Sequence, residues 1–242
     1  MQAIILAAGY GSRFSNTMKF PKCMLEIEGK TIIKHQLEML HEFGFSKVVV
    51  VTGFASTKVE AYLQDLEREN NWNMEIVSVC NPFFRSTNVL GSFWFGMKEL
   101  NDTFFYLEGD TIFEREMFEE VFNSPADFVL SIKYGSVDDE AMKVKIKENK
   151  LVEISKKIAL NNSDGEFIGL SRFSKNALQQ FKQYADERLR EEEFEDYFEY
   201  VIQESINRED DFSYDFVDID GRYCCEIDFP EDYEFALKNF KS

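Results

Sequence analysis

The sequence predicts an α/β fold: a doubly wound, mostly parallel sheet with a small mixed or antiparallel extension. Three observations carry that prediction. Residues 3–8 form an unbroken apolar run ending at Gly9, the pattern of a strand buried on both faces. Residues 47–52, Lys-Val-Val-Val-Val-Thr, form a second such run. Helical spacing separates the two, and the alternation of strand and helix continues to residue 107, which calls for parallel strands joined by right-handed crossovers.

Taken in order, residues 31–43 place Ile32, Ile33, Leu37, Leu40 and Phe43 at helical spacing, and Gly44 can end that helix. Residues 57–70 read as a second helix, 75–80 as a third strand, 89–100 as a helix and 103–107 as a fourth strand. The pattern then changes. Residues 127–134, 142–146, 150–154 and 167–173 are strand-like and separated by turns, with a polar turn cluster at 161–165. Residues 175–209 read as largely helical and very acidic, 212–218 and 222–227 as late strands, and 231–240 as a closing helix. No internal repeat or Pro/Gly-rich linker divides the chain. We expect one domain over 1–242, with a core in 1–125 and an extension in 126–242 that carries a late acidic motif and the closing helix.

Composition narrows the partners. The 242 residues are 44% hydrophobic and 30% charged, the profile of a chain with a sizeable core, and 25 phenylalanines predict that much of this core is aromatic. The net charge of −18 sets up a field that repels nucleic acid and anionic lipid, so neither is expected as a partner. Cys23, Cys80, Cys224 and Cys225 lack paired C-x-x-C spacing and are expected to be reduced, structural thiols. No leader-like segment or membrane-length apolar run is visible, and a cytoplasmic protein, monomer or homodimer, is expected.

The loop after the first strand reads Leu6-Ala7-Ala8-Gly9-Tyr10-Gly11-Ser12-Arg13, followed by Pro21-Lys22. A polyphosphate needs backbone N–H donors that can approach it closely, and the small residues Ala8, Gly9 and Gly11 allow that approach. The loop also lies at the carboxyl end of a parallel strand, the edge where open α/β sheets bind ligands. Arg13 can fork onto phosphate oxygens, and Lys22 supplies a point charge. The P-loop pattern is absent, and Phe14 stands where a dinucleotide fingerprint has its last glycine.

On these residues the sequence resembles the nucleotidyltransferase superfamily that activates sugar phosphates and phosphoalcohols. The run Leu25-Glu26-Ile27-Glu28-Gly29-Lys30 leading into a helix is similar too. The resemblance implies a Rossmann-like, nucleotide-diphospho-sugar transferase-like fold. It also implies that residues 6–12 wrap the nucleotide phosphates while Arg13 and Lys22 hold the reacting triphosphate. Magnesium is the implied cofactor, since transfer at phosphorus needs charge neutralised and the α-phosphate oriented. The Leu107-Glu108-Gly109-Asp110 run ends the fourth strand at the active edge, and Glu226-Ile227-Asp228 comes late in the chain. By resemblance Asp110 and Asp228 are the metal carboxylates, with Glu108 nearby as a substrate group.

Within the superfamily the sequence is most similar to the branch of phosphocholine and aminoethylphosphonate cytidylyltransferases. That implies a CMP unit passing from CTP to a small phosphorylated alcohol or amine, with pyrophosphate released by in-line attack. Asn81, Asn88 and Ser92, in the stretch 81–92, are implied near the base or ribose; each is also a good helix-capping type. Lys143, Lys156 and Glu166 are implied in the acceptor pocket, with Asp196 beside Tyr197 suited to a cationic headgroup. The same resemblance implies that Arg13, Lys19, Lys22, Lys143 and Lys156 give a basic mouth within an acidic surface. His35 and His41 look structural or surface. Two rivals share parts of this pattern: a sugar-1-phosphate uridylyl- or thymidylyltransferase shares the loop, and an inactive nucleotide-binding scaffold shares the fold. Short length argues against the first and the intact Arg13, Lys22, Asp110 and Asp228 against the second.

Overall fold

The structure, a computed structural model, describes residues 1–11 and 20–241. Ser12, Arg13 and Lys19 therefore lie outside the described residues.

The chain runs β1 (Gln2–Ala7), β2 (Glu26–Ile27), β3 (Lys30–Thr31), α1 (Ile32–Glu42), β4 (Lys47–Thr52), α2 (Ser56–Asn70), β5 (Glu75–Cys80) and α3 (Val89–Gly96). It continues with β6 (Phe104–Glu108), β7 (Thr111–Phe113), α4 (Arg115–Asn123), β8 (Phe128–Tyr134), β9 (Lys143–Lys147), β10 (Lys150–Ser155) and β11 (Gly165–Phe173). It closes with α5 (Lys175–Arg190), α6 (Glu199–Asn207), β12 (Tyr214–Asp218), β13 (Cys224–Glu226) and α7 (Pro230–Asn239).

β5, β4, β1 and β6 pair side by side in parallel, which puts the carboxyl ends of β1 and β6 next to each other. β11 then joins β6 antiparallel and links the two halves of the sheet. One end of β11 pairs with β6 and β8, while the other pairs with β8 and β9. β12 adds parallel to β8, and β10 adds antiparallel to β9. The expected mixed extension is this arm.

Strand alternation sorts the two faces of the sheet. Ala3, Ile5, Val48, Val50, Phe105 and Leu107 pack against α1, α2 and α4. Ile4, Val49, Val51, Phe104 and Tyr106 pack on the other face against α3, α5 and α6. The second face is aromatic: Phe104, Phe128, Phe173, Phe181 and Phe198 meet edge to face or tilted, and Tyr106 lies flat on Phe198 at 4.0 Å between centroids. All four cysteines are free thiols, Cys23 buried and Cys80 exposed at the end of β5.

The expected helix over 175–209 is two helices. Glu191 caps α5 and Glu192 has a left-handed backbone at φ 65°. Arg188 pairs with both Glu191 and Glu193 across that point, and the segment that follows has other backbone partners. The carbonyls of Phe194 and Asp196 accept from the amides of Asn88 and Leu90, at 2.8 and 3.1 Å, satisfying donors that the first turn of α3 cannot satisfy internally. Asn88 Nδ2 also donates to the Glu195 carbonyl at 3.0 Å.

Candidate active site

The carboxyl ends of β1 and β6 open into a cleft of about 320 Å³. Residues 6–11 line one side of it. Asn88, which caps α3, and Ser92 within it line another, with Thr87 and Phe84, and Lys22, Glu108, Asp110 and Glu226 complete the rim. Gly11 has φ +64° and faces the Lys22 stem, where an added Cβ would stand 3.3 Å from Lys22 Cγ. A glycine is needed there for the backbone turn, and its bareness lets the lysine lie across the loop.

Lys22 begins the 3-10 turn Lys22–Met24 after Pro21. Its ammonium donates to Asp110 Oδ2 and to Asp228 Oδ1, each at 2.6 Å. Asp110 follows β6, and Asp228 follows β13, which pairs antiparallel with β7. The Asp110 carbonyl accepts from Ile227 N at 3.0 Å, so the two acidic turns are joined through the backbone as well. Burial alone would lower the lysine's pKa, yet the Asp110 and Asp228 carboxylates hold it above its ordinary value. Its charge is fixed.

Two further acids sit behind this pair. One oxygen each from Glu108, Asp110 and Glu226 lies within 4.8 Å of the others among the described residues. Burial, then repulsion from Asp110 and Asp228, pushes the Glu226 carboxyl up to about 8. Burial and Glu226 push Glu108 well above the usual carboxylate range. The donors are all oxygens and their charges crowd one another, a set that fits a hard divalent cation. Glu108 is thus a member of the acidic group, and Glu226 joins it as a residue not singled out from sequence. Its signal was available: Glu226 and Asp228 are two apart at a strand end and so point to one side. Gly169 of β11 has φ +60°, and a Cβ there would come within 2.5 Å of Glu108 Oε2.

The remaining candidates fall elsewhere. Asn81 is fully buried; its amide donates to Thr87 Oγ1 and Ser92 Oγ at 3.0 and 3.1 Å and its oxygen accepts from Phe83 N. It braces the wall that bears Ser92 rather than facing the cleft. Lys143, expected in the acceptor pocket, is only 1% exposed. Its ammonium donates to the carbonyls of Asp139, Ala141 and Lys156 at 2.6, 3.2 and 2.9 Å, which makes it a brace between loops. Lys156 and Asp196 do line a second cleft of about 590 Å³, with Tyr197 and Glu199. Lys156 Nζ lies 4.5 Å from the Tyr197 ring centre, and Arg188 Nε donates to Asp196 at 2.5 Å. Glu166 lines neither cleft; burial, with Asp138 adding to it, raises its pKa on β11 despite Lys133, Lys143 and Lys156 nearby. His35 bonds the Ile27 carbonyl and His41 lies beside Trp72, both away from the cleft.

Residues 3–187 match the MobA-like NTP transferase domain. The chain belongs to this family. Relatives of this NTP transferase include the CTP:phosphoglutamine cytidylyltransferase of Campylobacter jejuni, 26% identical over 98% of this chain and 100% of the relative. The choline-phosphate cytidylyltransferase of Streptococcus pneumoniae is 24% identical over 99% of each chain. The solved structure of the inositol-1-phosphate CTP transferase from T. maritima superposes with a TM-score of 0.76 at 23% identity, covering 100% of this chain and 97% of that one, which shows the shared fold. The NTP transferase fold and a transferase activity follow for this chain. No helix among its described residues is long and apolar enough to cross a membrane.

Proposed function

We propose that the protein is a magnesium-dependent cytidylyltransferase that moves CMP from CTP to a small phosphorylated or phosphonate alcohol or amine and releases pyrophosphate. The observation that carries this reading is the meeting of Lys22, Asp110 and Asp228 at the mouth of a cleft walled by the small-residue loop. The choice of CTP rests on the full-length likeness to the two cytidylyltransferases, whose names specify phosphoglutamine and choline phosphate as their acceptors.

In this reading the backbone of residues 6–11 holds the triphosphate, with Arg13 and Lys22 as its cations. Asp110 and Asp228, with Glu226 beside them, would hold magnesium, which would neutralise charge at the α-phosphate. An oxygen of the acceptor's phosphate forms the new bond to the α-phosphorus of CTP. The bond to the bridging oxygen of the β-phosphate breaks, and its electron pair leaves with pyrophosphate. The attacking group is already anionic near neutral pH, so no strong base is needed, and positioning with charge neutralisation provides the rate. The second cleft, with Lys156 for a phosphate and Tyr197, Asp196 and Glu199 for a cationic tail, is our candidate for the acceptor's side chain. We place the reaction in the cytoplasm, where CTP is made and used.

The test is pyrophosphate release in magnesium, each of the four nucleoside triphosphates against a panel of acceptors. Choline phosphate, phosphoglutamine, ethanolamine phosphate, aminoethylphosphonate and sugar 1-phosphates form the panel. Release with CTP and an amine- or amide-bearing acceptor is expected. Release only with UTP or dTTP and a sugar phosphate would overturn it in favour of a sugar nucleotidyltransferase. Silence throughout with nucleotide still bound would leave a scaffold.

A further inference from the structure

The turn that presents Asp110 is gripped from behind by a side chain that lines no part of the nucleotide cleft. Gln36 lies within α1 and is 3% exposed. Its amide nitrogen carries two N–H bonds and donates to the carbonyls of Glu108 and Thr111, each at 2.8 Å. Those carbonyls bracket Gly109 and Asp110, one ending β6 and the other opening β7. Both hydrogens being in use, the amide fixes the distance between the two carbonyls and so the path of the turn between them.

Two more bonds complete the hold. Gly109 N donates to the Leu6 carbonyl at 2.9 Å, and Ile227 N donates to the Asp110 carbonyl at 3.0 Å. Gly109 leaves no slack, because a Cβ there would stand 2.9 Å from Leu6 O and from Ala7 Cα. The helix that carries Gln36 also receives the end of Lys22's segment, with Ile32 N donating to the Leu25 carbonyl at 2.9 Å. A core role alone does not explain a glutamine here. Its Oε1 is buried without a hydrogen-bond partner among the described residues, a penalty that an apolar side chain of the same length would avoid.

We propose that Gln36 is a positioning residue for the transfer reaction: by clamping Glu108 and Thr111 it sets the Asp110 carboxylate against Lys22. The kinetic half of this inference rests on the function proposed above; the geometric half does not. The variants are Gln36→Met, which keeps the length and removes both donors, and Gln36→Glu, which keeps the shape and offers one donor at most.

The first measurement is the acetylation rate of Lys22 in the free full-length protein, read by peptide mass spectrometry against the exposed Lys238. Gln36→Met is expected to speed Lys22 labelling at least threefold. In the pyrophosphate assay the same variant is expected to lose at least tenfold in kcat, with acceptor KM within twofold and half-saturating magnesium raised. Gln36→Glu should fall between it and the parent, and it provides the reading if Gln36→Met fails to fold in a thermal melt. Unchanged Lys22 labelling in a folded variant overturns the proposal whatever the activity does. Faster labelling with unchanged kcat and magnesium dependence also overturns it, reducing Gln36 to a fold support. Faster labelling in a protein that is silent with every nucleotide would sink the cytidylyltransferase reading and uphold the placement of Asp110.

Discussion

Lys22 and Asp110 stand 88 residues apart in the chain and 2.6 Å apart in the fold. The contact needs Pro21 and the short turn on one side, and the carboxyl end of β6 on the other, to reach the same edge of the sheet. Because the ammonium touches Asp228 as well, one cation holds together turns from the beginning, middle and end of the described chain.

Replacing Lys22 with Met leaves two neighbouring carboxylates without their common cation and, in the proposed reaction, removes a charge that would hold the triphosphate. The expected loss in kcat/KM is about 10²- to 10³-fold, as for other fixed charge-stabilising groups. Arg is not expected to restore it, since a broad planar guanidinium cannot lie where a single nitrogen meets both carboxylates. Pyrophosphate release and a thermal melt on the same samples check this. Near-normal activity in folded Lys22→Met would remove the lysine from the chemistry.

Gly169 is a second narrow place. Its left-handed φ and its approach to Glu108 both exclude a side chain, so Gly169→Ala is expected to displace the Glu108 carboxylate and strain the bend in β11. A loss of about 1–2 kcal/mol in stability from the backbone alone is expected, with activity reduced by about tenfold as Glu108 shifts toward Asp110. Denaturant unfolding and initial rates measure the two parts separately, and parent-like values in both would show that the close approach is idle.

Lys143 should behave as a brace. Lys143→Met leaves three carbonyls short of a donor, that of Ala141 buried and those of Asp139 and Lys156 partly so, and a stability loss of about 1–3 kcal/mol is expected. The acceptor KM should stay within twofold at a temperature where the variant is folded. A large rise in that KM without loss of stability would return the residue to the acceptor pocket.

The pH dependence of stability should carry the mark of Glu199. Burial raises its carboxyl from an ordinary 4.5 to about 7, against the pull of its own backbone amide and Lys156. Between those values the folded state holds a proton that the unfolded state has lost. Stability is therefore full below pH 4.5 and declines as pH rises through about 7, by at most about 3 kcal/mol. Glu199→Gln is expected to flatten that decline and to melt higher than the parent at pH 8. An unchanged slope in the variant would assign the decline to other groups.

Much of this was legible in the residues themselves. β4 and β5 have the bounds expected of them because short β-branched runs flanked by polar residues leave little choice, and the glycine loop announces its edge of the sheet. β7 and α4 gave no comparable signal, being a three-residue strand and a nine-residue helix. Lys143 begins the alternation Lys-Val-Lys-Ile-Lys, and resemblance alone set it in the acceptor pocket. The carbonyls that draw it inward come from residues 139, 141 and 156, and local periodicity does not reveal them. Gln36 was readable in principle. It stands on the apolar stripe of Ile33, Leu37 and Leu40, and a polar residue on a buried stripe points to a partner elsewhere in the fold.

The backbone strip at 194–196 has a thermodynamic consequence. It is hydrogen-bonded to Asn88 and Leu90 at the start of α3, whose Asn88 cap lines the first cleft, and it contributes Asp196 to the second, so the two clefts share a wall. If a guest in one cleft tightens that wall, a guest in the other meets a wall already ordered. Reciprocity then requires each to change the other's dissociation constant by the same factor, and neither affinity is a property of its own cleft alone.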